Sequence, residues 1–280
     1  MSPTPESDAG ARPAAAMRAI GTWLAAHRFA PDRPDEDEVV DVGGGAWALV
    51  RWIARARLAA TAGRMGVEPL RGLLLTGGSG SGKSWLAAHA AHVLGREFDT
   101  YGVSIGELTP RLTRTLFDVL AGQSMPSLVV LEGLGALAEP GAVGDGGWEQ
   151  AALRETLIDA LDTAGRGTHP LVIATSMVPP EALDPRLTAP HRVMVVRLPL
   201  PSLAEREALL ARLVAGRAID PATDWRPIAN ASQGMSPGDL RALVDRAVWR
   251  VLEQGRASVG PEDVRMDLLH PDEGRPPWAD

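Results

Sequence analysis

The chain contains no cysteine, and that one absence removes a disulfide framework, a thiolate metal site and a cysteine nucleophile together. Aromatic residues make up only 4%, with one Tyr and three Phe. No apolar run approaches the roughly 18 residues that a membrane span needs. The first residues also lack the basic segment and apolar stretch of a secretory leader, so a soluble, cytoplasmic protein is expected. An excess of positive charge is missing as well. Lys and Arg number 28 against 35 Asp and Glu, a formal net charge of −7, which argues against a protein built to neutralise nucleic-acid phosphates. Within the basic set lysine is almost absent: Lys83 is the sole lysine and the other 27 of the 28 are arginine. In so arginine-biased a chain, one surviving lysine marks a position where arginine does not serve.

What is present suffices for a core. With 280 residues, 45% of them hydrophobic, the chain can build one large domain or two unequal ones. Residues 1–13 are polar and Pro-rich and are expected to be disordered. In residues 14–29, Met17, Ile20, Trp23, Leu24 and His27 share roughly one helical face, which predicts a short amphipathic helix. That helix either packs back on its own domain or docks a partner. An acidic stretch over residues 32–41 reads as a solvated linker.

Beyond it, strand-length apolar runs at 73–76, 101–103, 128–131, 171–174 and 193–196 alternate with helix-period segments, the pattern of a parallel sheet wrapped by helices. After Pro199 the strands stop, and helices over about 203–214 and 238–253 predict a small all-helical C-terminal part. Arg51, Arg55 and Arg57, with Trp47 and Trp52, read as one amphipathic helix with solvated arginines rather than a nucleic-acid surface. The six histidines form no metal-ligand cluster in sequence, and no H-E-x-x-H is present.

Gly77, Gly78, Ser79, Gly80, Ser81, Gly82, Lys83 and Ser84 satisfy G-x-x-x-x-G-K-[ST] between a predicted strand and a predicted helix. From this chain's own composition a chance match is on the order of 10⁻³. Glycines let the backbone curl so that several N–H groups point at phosphate oxygens, aided by the positive end of the following helix. Lys83 would reach the β- and γ-phosphates, and the Ser84 hydroxyl would complete a Mg²⁺ shell. The predicted strand at 128–131 ends at Glu132, where such a site needs a carboxylate, and the next residue is Gly133.

The run Leu128, Val129, Val130, Leu131, Glu132, Gly133 resembles the Walker B segment of the AAA ATPase family, in which four apolar residues precede Asp-Glu. Glu132 falls in the Asp slot and Gly133 in that of the catalytic Glu. Asp41, Val42, Gly43 and Gly44 resemble the segment lining the adenine pocket, and Leu183 to Leu187 the stretch after sensor 1. Leu198 to Pro201 with Arg206 resemble the start of the helical lid, and Gly234 to Leu240 its sensor-2 helix start. Ser202 with Glu205, and Ser236 with Asp239, have capping-box spacing, and Pro237 sits where a first helical residue needs no N–H. Gly238 would let nucleotide approach that helix.

The resemblance implies a P-loop α/β domain over 41–200 and a helical lid over 201–270, flanked by a tail with helix and linker over 1–40 and a loose tail over 271–280. It implies ATP and Mg²⁺ as ligands, contacted by Val42, Gly43, Gly78, Ser79, Gly80, Ser81, Gly82, Lys83, Ser84, Trp85 and Gly238, with Ser84 and Glu132 on the metal. Glu132, Ser176 in the sensor-1 slot, and Arg192 would serve catalysis.

Departures from the family pattern are informative. Sensor 1 is Ser176, with Thr175 beside it, where Asn is usual. The first of two interface arginine slots holds Ala189, the second Arg192, with Arg186 nearby. Between Glu107 and Leu116 the chain is shortened and lacks an aromatic, so a substrate-gripping pore loop is absent. A positioned general base is worth ~10²–10⁴-fold and an arginine finger ~10³–10⁵-fold, not additively. The expected function is therefore an ATPase that hydrolyses Mg-ATP slowly, assembles as a homo-oligomeric ring and drives a conformational change on a protein client, without membrane or nucleic-acid partners. The alternative is a catalytically degenerate ATP-binding adaptor. A small-molecule kinase shares the loop but lacks the 41–44 and 236–240 segments. Glu139 and Asp145 could orient water, though solvated charges explain them as well.

Overall fold

The computed structural model describes residues 19–29, 41–67, 72–138, 147–163, 170–214, 224–256, 259–260 and 263–264. The expectations for residues 1–13 and 271–280, nearly all of the acidic stretch, and for Met17, Glu139 and Asp145 lie outside these. Helix α1 covers residues 19–26, followed by α2 (Gly45–Arg57), α3 (Ala59–Arg64), β1 (Gly72–Thr76) and α4 (Lys83–Leu94). Then come β2 (Asp99–Ser104), α5 (Pro110–Ala121), β3 (Ser127–Glu132), α6 (Gly147–Thr163), β4 (Leu171–Ser176) and β5 (Val193–Arg197). Helices α7 (Leu203–Val214), α8 (Arg226–Ala231) and α9 (Pro237–Glu253) follow.

The five strands form one sheet in the order β2-β3-β4-β1-β5, with β2–β3, β3–β4 and β1–β4 parallel. Every residue of β1 and β4, and all of β3 except Glu132, is buried. A strand covered on both faces reads in sequence as an unbroken apolar run, which is why these strands could be found without alternation. Thr76 of β1 pairs with Ser176 of β4, and Leu131 of β3 with Ala174, so the polar residues that end the strands line one edge of the sheet.

The fold divides into two compact units. The first contains the described parts of 19–29, 48–76 and 84–196. Its core joins Leu74, Val129, Leu131 and Val172 of the sheet to Leu116 and Leu120 of α5 and to Leu157 and Leu161 of α6. Ile20 and Leu24 of α1 lie in the same core and Trp23 packs on it, so the amphipathic helix packs back on its own domain. The residues after α1 then pair with β2: Phe29 N–H donates to Thr100 O (2.9 Å), Gly102 N–H to His27 O (3.0 Å), and Arg28 bridges Tyr101 antiparallel. An edge strand is thereby covered. Gly102 is required there, since a Cβ would lie 2.9 Å from the Phe29 ring. Trp52 of α2 is fully buried and donates Nε1–H to Gly72 O (3.1 Å) at the start of β1. Arg51 and Arg55 are exposed and Arg57 pairs with Glu97, as a solvated face requires.

The second unit contains the described parts of 41–47, 77–83 and 197–264. Leu210 of α7, Trp225 and Ile228 beside and in α8, and Leu240, Leu243, Val244, Ala247 and Val251 of α9 form its core. Arg206 is buried and donates to Ala229 O (2.8 Å) and Pro201 O (2.7 Å), tying α7 to α8 and to its own lead-in. Among the described residues, no helix is long and apolar enough to cross a membrane.

Candidate nucleotide-binding site

In the second unit, the Gly77–Lys83 loop follows β1 and runs into the first turn of α4. Gly80 (φ +69°) and Gly82 (φ +96°) have left-handed backbone that a side chain would strain. Gly78, Ser79 and Gly80 are exposed, while Ser81 and Lys83 are buried. The Lys83 ammonium donates to Gly77 O (2.8 Å) and Gly78 O (2.7 Å), spanning the loop from inside. Burial holds its pKa below the ordinary lysine value. A compact point donor on a flexible stem fits this position, which answers why one lysine persists among arginines.

The same loop touches the start of α9. Ser236 caps that helix by accepting Asp239 N–H (3.2 Å), and Asp239 accepts Ser236 N–H (2.9 Å). Gly238 N–H donates to Gly80 O (2.9 Å), and a Cβ on Gly238 would lie 2.9 Å from Gly80 Cα. Loop and helix start are thus in backbone contact. Val42 is buried, and Gly43 (φ +60°) packs so closely that a Cβ would meet Pro199 Cδ at 2.5 Å. Gly43 N–H donates to Glu205 Oε1 (2.8 Å), a link between residues far apart in sequence that spacing rules do not reveal.

In the first unit, Ser84 and Trp85 continue the first turn of α4, both exposed, with the Trp85 ring stacked on His89 at 5.4 Å. Glu132 is exposed at the end of β3. Gly133 adopts φ 81°, ψ 31° and donates its N–H to Thr175 Oγ1 (3.3 Å). Ser176 is buried, and its hydroxyl donates to Val178 O (2.9 Å) while accepting Val178 N–H (3.2 Å), a local turn. Thr175 therefore holds the residue after Glu132, and Ser176 holds the loop after β4.

Arg192 makes a two-pronged pair with Asp162 of α6 and donates to Arg186 O (2.6 Å). Hydrogen bonding from Arg192 holds the Asp162 carboxyl below its usual pKa, against the opposing effect of burial. Arg186 is likewise engaged, by Glu155 (2.5 Å) and Asp184 (2.8 Å). Asp184 lies two residues from Arg186 within the 183–187 stretch, whereas Asp162 and Glu155 were not picked out by motif, because pairing across 30 and 31 residues carries no local signal. Between β2 and α5, residues 105–109 make a compact connection. Ser104 and Glu107 form a capping box, Thr109 caps α5, and no aromatic residue protrudes. No group of three or more His, Asp or Glu able to hold a metal occurs among the described residues.

Residues 73–199 match the family described as ATPase family associated with various cellular activities (AAA). The chain is 29% identical over 218 residues to the proteasome-activating nucleotidase of Methanosphaerula palustris, covering 73% of this chain and 51% of that protein. It is 30% identical over 216 residues to the proteasome-activating nucleotidase of Methanothermobacter thermautotrophicus, covering 74% and 52%. It is 28% identical over 212 residues to the ATP-dependent zinc metalloprotease FtsH of Acidimicrobium ferrooxidans, covering 71% and 31%. The chain thus spans about half the length of the nucleotidases it matches, and less of the metalloprotease.

Proposed function

We propose that this chain, whose residues 73–199 match the ATPase family associated with various cellular activities (AAA), binds ATP in the Gly77–Ser84 loop, hydrolyses it slowly and passes nucleotide state to its C-terminal helices, which act on a protein partner. The observation that carries this reading is the Gly238 N–H bond to Gly80 O (2.9 Å): whatever fills the loop is felt at once by the first turn of α9. In domain terms, 41–200 bind and 201–270 respond.

The loop fits a triphosphate. The left-handed backbone at Gly80 and Gly82 suits a loop that turns N–H groups toward phosphate, and Lys83 adds the one lysine charge. Gly78 to Ser84 and Trp85 are assigned to the phosphates, and Val42 and Gly43 to the base. The residues also fit Mg²⁺. Ser84 and Glu132 offer exposed hard oxygen donors, the ligand type that Mg²⁺ takes beside its waters and substrate phosphates. When bound, Mg²⁺ supplies charge neutralisation on the phosphate oxygens. Glu132 is then the carboxylate at the C-terminal end of β3, Thr175 fixes the backbone beside it, and Ser176 shapes the neighbouring loop. Arg192 is assigned to a neighbouring copy's nucleotide in a homo-oligomeric ring, where it exchanges Asp162 for phosphate. With Ile20 and Leu24 buried in their own domain, the partner contact falls to the C-terminal helices, where Trp249 is 66% exposed.

A second reading, an ATP-gated adaptor without useful turnover, is favoured by Gly133: the slot after Glu132 has neither a carboxylate nor a backbone that accepts one easily. Mg-ATP turnover across protein concentrations, with Lys83→Ala as the blank, decides. Turnover lost in the variant and rising per subunit with concentration supports a ring ATPase. No turnover above the blank, together with an ATP-induced rise in melting temperature, supports the adaptor. Neither turnover nor a melting shift refutes both.

A further inference from the structure

Glu205 does two jobs with two oxygens. Oε2 accepts Ser202 N–H (2.7 Å), completing the capping box of α7, and the cap needs no more than that. Oε1 accepts Gly43 N–H (2.8 Å), which no helix cap requires. Gly43 in turn is held against Pro199, where a Cβ would be 2.5 Å from Cδ, while Gly77 of the phosphate loop sits against Leu198, where a Cβ would be 2.6 Å from the carbonyl oxygen. Leu198 and Pro199 are consecutive, about 3.8 Å apart at Cα. Gly43 and Gly77 of the phosphate loop thus pack against consecutive residues, and the Gly43 N–H is already spent on a carboxylate.

Resting on the nucleotide reading above, we infer that Glu205 is a specificity-determining latch on the base subsite: a purine base is recognised there by giving a ring-nitrogen acceptor to the Gly43 N–H, which Glu205 must first release. The exchange balances. The N–H trades one acceptor for another, and the carboxylate keeps its Ser202 bond. Binding of the base thus loosens α7 from residues 41–44, which gives the base, and not only the phosphates, a hold on the C-terminal helices. A ligand with phosphates and no base leaves the latch shut.

The test is calorimetric titration of ATP and of inorganic tripolyphosphate, each with Mg²⁺, into the full chain and into Glu205→Gln. Glutamine has one carbonyl oxygen: it keeps the cap with that oxygen and turns its NH2, which only donates, to the Gly43 N–H, so the second bond is lost. ATP is expected to bind about fivefold tighter to Glu205→Gln, with tripolyphosphate unchanged. Glu205→Asp, which keeps the charge and loses the reach, is expected to shift ATP in the same direction and serves if the glutamine variant does not fold. Unchanged or weaker ATP binding in a folded variant overturns the latch, as does an equal shift for ATP and tripolyphosphate. Lys83→Ala separates the two levels: if it binds ATP as the parent does, the phosphate-loop reading itself fails, whereas loss of binding there with no effect at Glu205 removes only the latch.

Discussion

Gly133 offers a test whose size follows from backbone geometry. At φ 81°, ψ 31° it occupies the left-handed region, and an added Cβ would meet no atom within 4 Å. Gly133→Ala therefore introduces strain without a clash. Left-handed backbone costs an L-residue about 1–2 kcal/mol. Restricting the unfolded chain returns about 0.4–1 kcal/mol. The net expectation is a loss of about 1 kcal/mol, or a fall of about 2–4 °C in melting temperature for a domain of this size. Gly133→Asn, which tolerates this conformation, should stay within about 0.5 kcal/mol of the parent. Urea melts of the three proteins measure the difference. A neutral alanine variant, or an asparagine variant as unstable as alanine, would falsify the left-handed assignment and the account of why no side chain stands there. Gly133→Glu carries the same strain and adds a carboxylate beside Glu132. If turnover is limited by a missing base, it rises in that variant by up to ~10²-fold, the lower end of the range for a positioned base.

Other outcomes are as specific. Lys83→Arg should lose ATP-dependent thermal stabilisation as fully as Lys83→Ala, because the ammonium spans two carbonyls at 2.7–2.8 Å in a buried position; a stabilised arginine variant would break that argument. Gly238→Ala places a Cβ 2.9 Å from Gly80 Cα, so the loop and α9 must separate and nucleotide affinity should drop, whereas parent-like binding would mean the contact is dispensable. Asp162 has its folded pKa lowered by Arg192, so its contribution is present above the ordinary aspartate value near ~3.9 and is lost as pH falls through the lowered value. Asp162→Asn should therefore be less stable than the parent at pH 7 and converge with it under strong acid; denaturant midpoints at both pH values check the sign. The variant should also free Arg192, raising concentration-dependent turnover if that arginine acts between copies.

The parts of the molecule visible in sequence are those whose cause is local. β3 could be read from Leu128 to Leu131 because burial on both faces demands an unbroken apolar run, and its observed ends differ by one residue on each side. The start of α9 was written in Ser236, Pro237 and Asp239, each answering a need of the first helical turn. The Ser104–Glu107 box and the Thr109 cap, which were not singled out from the sequence, keep the shortened connection compact. What sequence could not supply was the partner of each polar group. Amphipathicity in α1 predicted a buried face but left open whose core would bury it. Arg192 could be picked out as an arginine, yet its pairing with Asp162 depends on α6 lying beside the segment before β5. The Glu205 to Gly43 bond joins residues whose proximity only the folded chain creates.

The lone lysine has a practical corollary in chemical labelling. Because Lys83 supplies the chain's single ε-amino group, lies in the loop and is 9% exposed, an amine-directed acyl-phosphate analogue of a nucleotide has one side-chain target, and that target is screened from untethered reagents. Apart from the α-amino group, mass added per molecule then counts occupied loops directly. Competition by an unlabelled ligand becomes a one-site occupancy assay needing neither turnover nor a known client.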